Sequence, residues 1–412
     1  MLEIRRFVVH KVSLADQTAF DEEHLTIDAC ALQEILIAED ARIKAVNVGL
    51  ASPGEETRMV CVKDVIEPRV KTTGGRVGEG VVHVLKNIAV VTCGPIVGFQ
   101  EGIIDMNGPG AAHTPFSSML LVVLQIEVVD GITAHQHEEI VRKNGLWAAE
   151  YLCQATVQAR PDKVEHVAGN QSPEDESLPR IAYVYMVLSQ GLLHDTYVLG
   201  HDAKQGLPRI IDPAVLMEGG IVSGNCVSAC DKNTTYHHQN NPLLRQLLDG
   251  HGVHWNFVGV VVTNEPVRLG EKQNSARDAI ELVKQLKADG VIISKEGFGN
   301  PDADLMLIVR GLQQAGIQTV AITDEFAGVD GSSQSLADAT PEADAIVSVG
   351  NANEPIVLPV MQTTIGPLPD VSRLAGGYPH SIRADGTIEV ELQAIIGATN
   401  QLGFGRLSCR EI

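Results

Sequence analysis

No apolar run in this sequence approaches the roughly 20 residues that a membrane-spanning helix needs. Residues 1–17 carry charges and lack the apolar core and small-residue cleavage site of a secretory leader, so the chain reads as cytoplasmic. Positive charge is scarce: 31 Lys and Arg stand against 52 Asp and Glu, for a formal net charge of -21. Nucleic acid and anionic membranes are held through clustered cations, so neither is an expected partner. Cysteine is sparse and odd in number, seven in 412 residues, which fits reduced thiols better than a disulfide framework. There is no repeat at solenoid spacing and no low-complexity tract. The Gly-rich stretches 98–102 and 107–110 match neither a phosphate loop nor a dinucleotide fingerprint, so no nucleotide cofactor is expected.

What is present describes a globular α/β chain. Hydrophobic residues make up 44%, enough for buried cores, and the length suggests two or three domains. From residue 256 onward, β-branched runs alternate with amphipathic segments. Strands are expected at 256–262, 290–293, 319–322 and 345–349, with helices at 274–288 and 303–315, each ended by a glycine. That alternation is the pattern of a parallel sheet with helices on its faces, and 256–412 reads as a doubly wound α/β domain. Residues 1–158 read as an α+β domain, with strands at 1–9, 45–50, 59–65 and 88–97 and a helix at 29–38. The polar, acidic stretch 159–180 reads as an exposed linker. Residues 181–255 form a separate region, with strands expected at 181–188 and 195–199.

Open α/β sheets bind ligands at the carboxyl ends of their strands. Polar side chains gather at four such ends here: Asn264 after the first strand, Glu296 after the second, Asp324 after the third and Asn351 after the fourth. Any one of these loops is adequately explained by caps and turns. The four together are read as a polar substrate-binding cleft.

The most informative segment is 219–241, GGIVSGNCVSACDKNTTYHHQNN. It holds two Cys, two His and several hydroxyls and amides, and few apolar residues. Three chemistries fit these residue types. Cys226 and Cys230 with His237 and His238 carry zinc-ligand atoms, although adjacent histidines seldom serve one ion. A cysteine activated by a histidine would be a nucleophile. The third is backbone self-cleavage: the Cys226 thiol attacks the carbonyl of Asn225, elimination frees the upstream fragment, and the new terminal residue ends as a pyruvoyl group after water removes ammonia. Gly224 and Asn225 tolerate the unusual backbone such a junction needs. Thr234, Thr235, His237 and His238 are candidates for proton transfer and oxyanion stabilisation. The residues by themselves do not choose among the three.

A resemblance does. SGNCVSACDKNTTYHHQNNP resembles the cleavage-site region of the glycine reductase component B family, in the proprotein that yields its alpha and beta subunits. Further matching stretches include VKDVIEPRVK, GPIVGFQEGIIDMNGPGA, LPRIAYVYMVLSQGLLHDTYVLG, ADGVIISKEGFGNPDADL, ITDEFAGVDGSSQSLADATPEADA and GATNQLGFG, so the likeness spans nearly the whole chain. The sarcosine and betaine reductases have closely similar components. The chain departs from the pattern in a short 70–80 region and in 159–180.

The resemblance implies cleavage between Asn225 and Cys226, with Cys226 becoming a covalent pyruvoyl group. It implies no metal. The pyruvoyl carbonyl would take up the amine of glycine or sarcosine for reductive C–N cleavage. Betaine, with a quaternary nitrogen, cannot react that way. An aromatic cage would suit betaine, but aromatics are only 4% of the chain, and Trp147, Trp255, Tyr183 and Tyr185 are each better read as core. The implied partners are a selenocysteine-containing subunit of component B, the small selenoprotein A that accepts the carboxymethyl group, and component C, which makes acetyl phosphate; electrons would come through a thioredoxin-type dithiol. The competing classes are an uncleaved scaffold or regulatory homologue and a zinc-stabilised α/β binding protein. Elsewhere, His135 and His137 read as a solvated or capping feature ahead of a helix and not as metal ligands.

Overall fold

The computed structural model describes residues 1–95, 97, 101–169, 175–191, 193–224, 233–366 and 371–404. The chain is a mixed α/β protein containing several sheets, of which four among the described residues are mixed parallel and antiparallel. Among the described residues, no helix is long and apolar enough to cross a membrane.

One sheet organises the N-terminal half. Its order is Gly102–Asp105, Thr57–Ile66, Ile88–Cys93, Leu120–Val128, Ile43–Ala51. A strand from far along the chain, Thr363–Ile365, adds itself in parallel beside Thr57–Ile66. Thr57–Ile66 is buried along its whole length. The strand expected at 88–97 stops at Cys93, because Gly94 and Pro95 follow and a proline cannot donate to a ladder.

The helix Ala134–Gln154 lies on one face of this sheet. Thr133 and Gln136 form a capping box at its start. Ile140, Val141, Ala148, Ala149 and Leu152 repeat at helical spacing and enter the core with the sheet. Gly145 lets the helix sit close: a Cβ there would come within 2.7 Å of Ile66 and 2.8 Å of Thr92. His135 and His137 fall inside this helix. His135 is exposed, but His137 is buried, so the solvated reading is corrected for it: residue 137 shares the helix stripe of Ile140, Val141 and Asn144 that faces the sheet.

A second sheet is ordered Lys163–Val167, Leu2–Val8, Gly80–Lys86, Arg69–Lys71, and its Ile4 and Val82 share a core with Tyr183 and Tyr185. The stretch 159–180 therefore contains β structure, pinned by antiparallel pairing of Lys163–Val167 with the first strand. That pairing is long-range and leaves no local trace in an acidic sequence.

The third sheet has the order Arg209–Ile211, Asn256–Asn264, Arg180–Val187, Gly290–Ser294, Gln318–Glu325, Ile346–Asn351. All neighbours are parallel except Arg209–Ile211, an antiparallel edge strand. Both faces of the central strand are buried, as a parallel sheet requires. Ala182, Val184 and Met186 pack with the helices Leu269–Gln285 and Asn300–Gln314. Tyr183, Tyr185 and Val187 face the other way, onto Leu216, Leu244 and Leu247 and onto Ile4 and Val82 of the second sheet.

Candidate functional site

The central strand Arg180–Val187 lies between two strands that come later in the chain, Asn256–Asn264 and Gly290–Ser294. The loops leaving Val187 and Ser294 diverge at this point, and such a point is where open sheets place ligands. Glu296 bridges it. Its carboxylate, 2% exposed, accepts from the backbone N–H of Leu188 at 3.0 Å and from that of Asn233 at 2.5 Å.

Asn233 is the first described residue after the sequence-predicted junction. Asn225, Cys226, Ser228 and Cys230 lie outside the described residues. On the upstream side, the strand Ile221–Ser223 pairs antiparallel with Thr196–Val198. The N–H of Gly224 donates to Asp195 O at 2.6 Å, and a Cβ on Gly224 would sit 1.8 Å from His194 O. Close approach, not unusual dihedral freedom, is what requires glycine there. Gly224→Ala is expected to displace the 194–195 backbone and to slow any chemistry at the adjoining bond. Fragment yield per unit time, compared with wild type, checks this.

The two flanks are tied to each other and to the N-terminal sheet. Ser223 N–H donates to Thr235 Oγ1 at 3.0 Å. Thr235 in turn donates from N and Oγ1 to the Asp64 carboxylate, at 2.9 and 2.6 Å. Asp64 is completely buried in the Thr57–Ile66 strand. Thr234 caps the short helix Thr235–Gln239, with His237 completing a capping box. His237 Nδ1 faces the Thr234 N–H at 3.1 Å, and its ring lies between Phe116 and Phe404. His238 Nδ1 bonds the Tyr185 hydroxyl at 2.5 Å. Both imidazoles are buried and commit Nδ1 to neighbours, so proton traffic at either would use Nε2. Thr234, Thr235, His237 and His238 thus stand together at one flank of the junction. Tyr183 and Tyr185 stack in the core, and Trp255 donates to Leu247 O.

Around Glu296 the strand ends hold a buried ionic cluster. Lys295, wholly buried, donates to Gly297 O at 2.8 Å, pairs with Asp302, and lies 3.6 Å from Asp324. Burial works against its charge, but Asp324, Asp302 and Glu265 outweigh that and raise its pKa. Asp324, held by Gln401 at 2.8 Å, is pushed up to about 6 by burial, with Lys295 opposing. Glu265, which accepts from Glu296 N–H at 3.3 Å, is raised well above the usual carboxylate range by burial and by Asp304 and Glu296. Asp304 is pushed to about 6 by burial, against its pairing with Lys272.

A pH dependence follows. The folded pKa of Asp324 lies above its ordinary value of 3.8, so the folded state holds the extra proton between these pH values. Stability contributed by this group is therefore lost as pH rises from about 4 through 6. Thermal unfolding across that window is expected to show a falling midpoint, with a shallower fall in Asp324→Asn.

Asn264 and Asn351 serve other loops. Asn264 accepts from Ser275 Oγ at 2.8 Å and lines a cleft of about 440 Å³ with Ser189, Lys204 and Glu271. Asn351 accepts from Ala327 N–H at 3.1 Å and donates to Gly328 O at 2.9 Å. Sequence reasoning missed Glu265 as a partner of Glu296, and it missed Asp64. The signal for Asp64 was present: Lys63 and Asp64 interrupt the otherwise apolar run 59–66. Among the described residues, no three or more His, Cys, Asp or Glu side chains are grouped to hold a metal ion.

Comparison with known proteins adds what geometry alone does not. Residues 1–410 match the sequence family of glycine/sarcosine/betaine reductase component B subunits. The chain is 47% identical to the glycine reductase complex component B subunits alpha and beta of Acetoanaerobium sticklandii, over 99% of both chains. It is 48% identical to the protein of the same description from Peptoclostridium acidaminophilum, again over 99% of both. The sarcosine reductase complex component B subunit alpha of that second organism is 45% identical, with 99% of each chain covered. No solved structure is significantly similar.

Proposed function

The chain belongs to the glycine/sarcosine/betaine reductase component B family, and from that premise we propose that it is a proprotein that severs its own backbone between Asn225 and Cys226. The Cys226 sulfur attacks the Asn225 carbonyl carbon, and the C–N bond gives way to a thioester. Loss of the Cα proton and cleavage of the Cβ–S bond then release fragment 1–225 as its thiocarboxylate. Water replaces the nitrogen left on residue 226 with a carbonyl oxygen, and ammonia departs.

The observation that carries this reading is the anchoring of the two flanks. Ser223 and Thr235 are bonded to each other, Thr235 is fixed to Asp64 of one sheet, and Asn233 is fixed to Glu296 at the edge of another. Reactions of a backbone on itself depend on holding nucleophile and carbonyl in one geometry. Buried carboxylates that accept backbone N–H groups do that without adding a mobile charge.

The pyruvoyl group supplies an electrophilic carbonyl that takes up an amine and draws electrons from its Cα–N bond. The surroundings suit such a group. Burial, with Asp304 and Glu296, raises the Glu265 pKa well above the usual carboxylate range, and His237 and His238 stand buried one turn from Asn233. These buried residues exclude water and orient the flanks, and proton transfer in this reading runs through the His237 and His238 rings. Glycine or sarcosine is the substrate in this reading. The selenocysteine-containing subunit, selenoprotein A and component C are its partners, a dithiol supplies electrons, and the cytoplasm is its location. The third sheet is read as doubly wound, with its switch point at Glu296.

Denaturing mass analysis tests the proposal: fragments 1–225 and 226–412 are expected, the second without a free α-amine. A single chain with an ordinary terminus at residue 1 would remove it. Glu296→Gln, which replaces one accepting oxygen by a donor, is expected to slow appearance of the fragments about tenfold or more, a modest part of the effect usual for positioned proton-transfer and orienting groups.

A further inference from the structure

A second buried polar group lies on the N-terminal sheet, beside Asp64. The strand Thr57–Ile66 carries two register irregularities close together, one against Gly102–Asp105 and one against Ile88–Cys93. Cys61, the residue skipped in the first, has φ +55°, a conformation that non-glycine residues rarely adopt. Bulges of this kind re-aim side chains and recur next to active sites. Here the result is Lys63, wholly buried, bonded to Glu101 Oε1 at 2.5 Å. Gly94 makes room for it, since a Cβ there would lie 3.2 Å from Lys63 Cε.

Glu101 is 1% exposed, and its second oxygen, Oε2, is buried with no hydrogen-bond partner among the described residues. His137, 5% exposed, has neither ring nitrogen partnered among the described residues. Burial first, and Lys63 second, push His137 down to about 4, so its imidazole is neutral and keeps an accepting nitrogen. Native proteins rarely leave buried polar atoms unmet, because an unmet one carries its full desolvation penalty. Two side chains left so, an anionic oxygen and a neutral imidazole, ask for a donor. The helix that carries His137 also places Glu138 on Tyr197 OH and the His135 ring 5.0 Å from that of His194, whose carbonyl abuts Gly224. The group therefore belongs to the neighbourhood of the junction flanks.

We propose that Glu101 Oε2 and the His137 imidazole form the seat for the ammonium of a small amino acid, and that they favour nitrogen bearing N–H over a quaternary nitrogen. The assignment rests on the proposed function for its substrate class. An ammonium offers several N–H donors at once and meets both orphaned side chains. A trimethylated nitrogen has none to offer, and sites built to bond a polar hydrogen reject analogues that lack it.

Isothermal titration of the purified wild-type chain with glycine, sarcosine and betaine tests this, alongside Glu101→Gln and His137→Phe. His137→Phe fills the same space without leaving a charge behind. Glycine and sarcosine should bind, betaine at least tenfold more weakly, and each variant should lose about tenfold or more in glycine affinity; the thermal midpoint should stay near wild type in His137→Phe and fall in Glu101→Gln, which leaves buried Lys63 without its carboxylate. Glycine affinity unchanged in both variants, absence of glycine binding by the wild type, or betaine binding as tightly as glycine would overturn the assignment. Loss of fragmentation in both variants would do so too, by moving the pair to processing. A wild-type chain that binds glycine through these residues yet remains unfragmented would leave this seat standing and remove the proposed self-cleavage instead.

Discussion

Cys226→Ala is expected to stay a single polypeptide of full length under conditions in which the wild-type chain resolves into residues 1–225 and 226–412. The effect should be all or none. Alanine offers no nucleophile for the Asn225 carbonyl, and its β-carbon bears no leaving group, so both the acyl shift and the elimination are blocked. Cys226→Ser separates the two requirements. A hydroxyl can attack, but it is a far weaker nucleophile than a thiolate near neutral pH, since an ordinary cysteine has a pKa of about 8.5 and is partly ionised there. The serine chain should therefore process slowly, accumulating both fragments over a longer time. Cys230→Ala, by contrast, should fragment at the wild-type bond. Time courses on denaturing gels, read with intact-mass spectra, distinguish these outcomes, and a Cys226→Ala chain that still splits at the same bond would show that another group is the agent.

Lys295→Met should carry the largest stability effect, about 3–5 kcal/mol, the range found when one partner of a buried ion pair is removed. Lys295 has no exposure to solvent, and it stands against both Asp302 and Asp324. Without it, those carboxylates face each other in the interior, close to Glu265 and Asp304. Methionine fills most of the volume, so the loss reports charge and not a cavity. The double variant Lys295→Met/Asp324→Leu should recover part of the loss, because it removes one of the stranded carboxylates. The single variant should also be least impaired near pH 5, where protonation of Asp324 relieves the repulsion, and most impaired above pH 7. Urea unfolding at both pH values measures this.

Much of the third sheet was legible because its central strands, Asn256–Asn264 and Arg180–Val187, are buried on both faces. Asn256–Asn264 and Gly290–Ser294 read as β-branched runs, and Gly316 marks where the helix Asn300–Gln314 ends, whereas the helix Leu269–Gln285 stops short of Gly290, which opens the next strand. The strand-end rule brought Glu296 and Asp324 to one edge of that sheet, and hydrogen bonds show why they matter structurally: each is consumed by the polar atoms of a loop or by a buried lysine. Asn264 and Asn351 obey the same rule and serve neighbouring loops, since a polar residue after a strand answers whichever backbone group lies nearest. Segment 234–238 stood out by composition alone.

Long-range pairing was not legible. Nothing in Thr363–Ile365 announces that it will run beside Thr57–Ile66, and nothing in Lys163–Val167 announces the first strand as its partner. The seat built on Lys63, Glu101 and His137 was hidden for the same reason: it joins residues from a strand, a loop and a helix, and depends on bulges that shift a side chain from one face to another. A charged pair inside an apolar strand is the trace such a site leaves in sequence, and Lys63–Asp64 is that trace here.

Phenylhydrazine added to the purified wild-type protein, followed by intact-mass analysis under denaturing conditions, is the most direct measurement. The account predicts one hydrazone adduct, confined to the fragment that begins at residue 226 and absent from Cys226→Ala. A full-length wild-type polypeptide that takes up no reagent would contradict it.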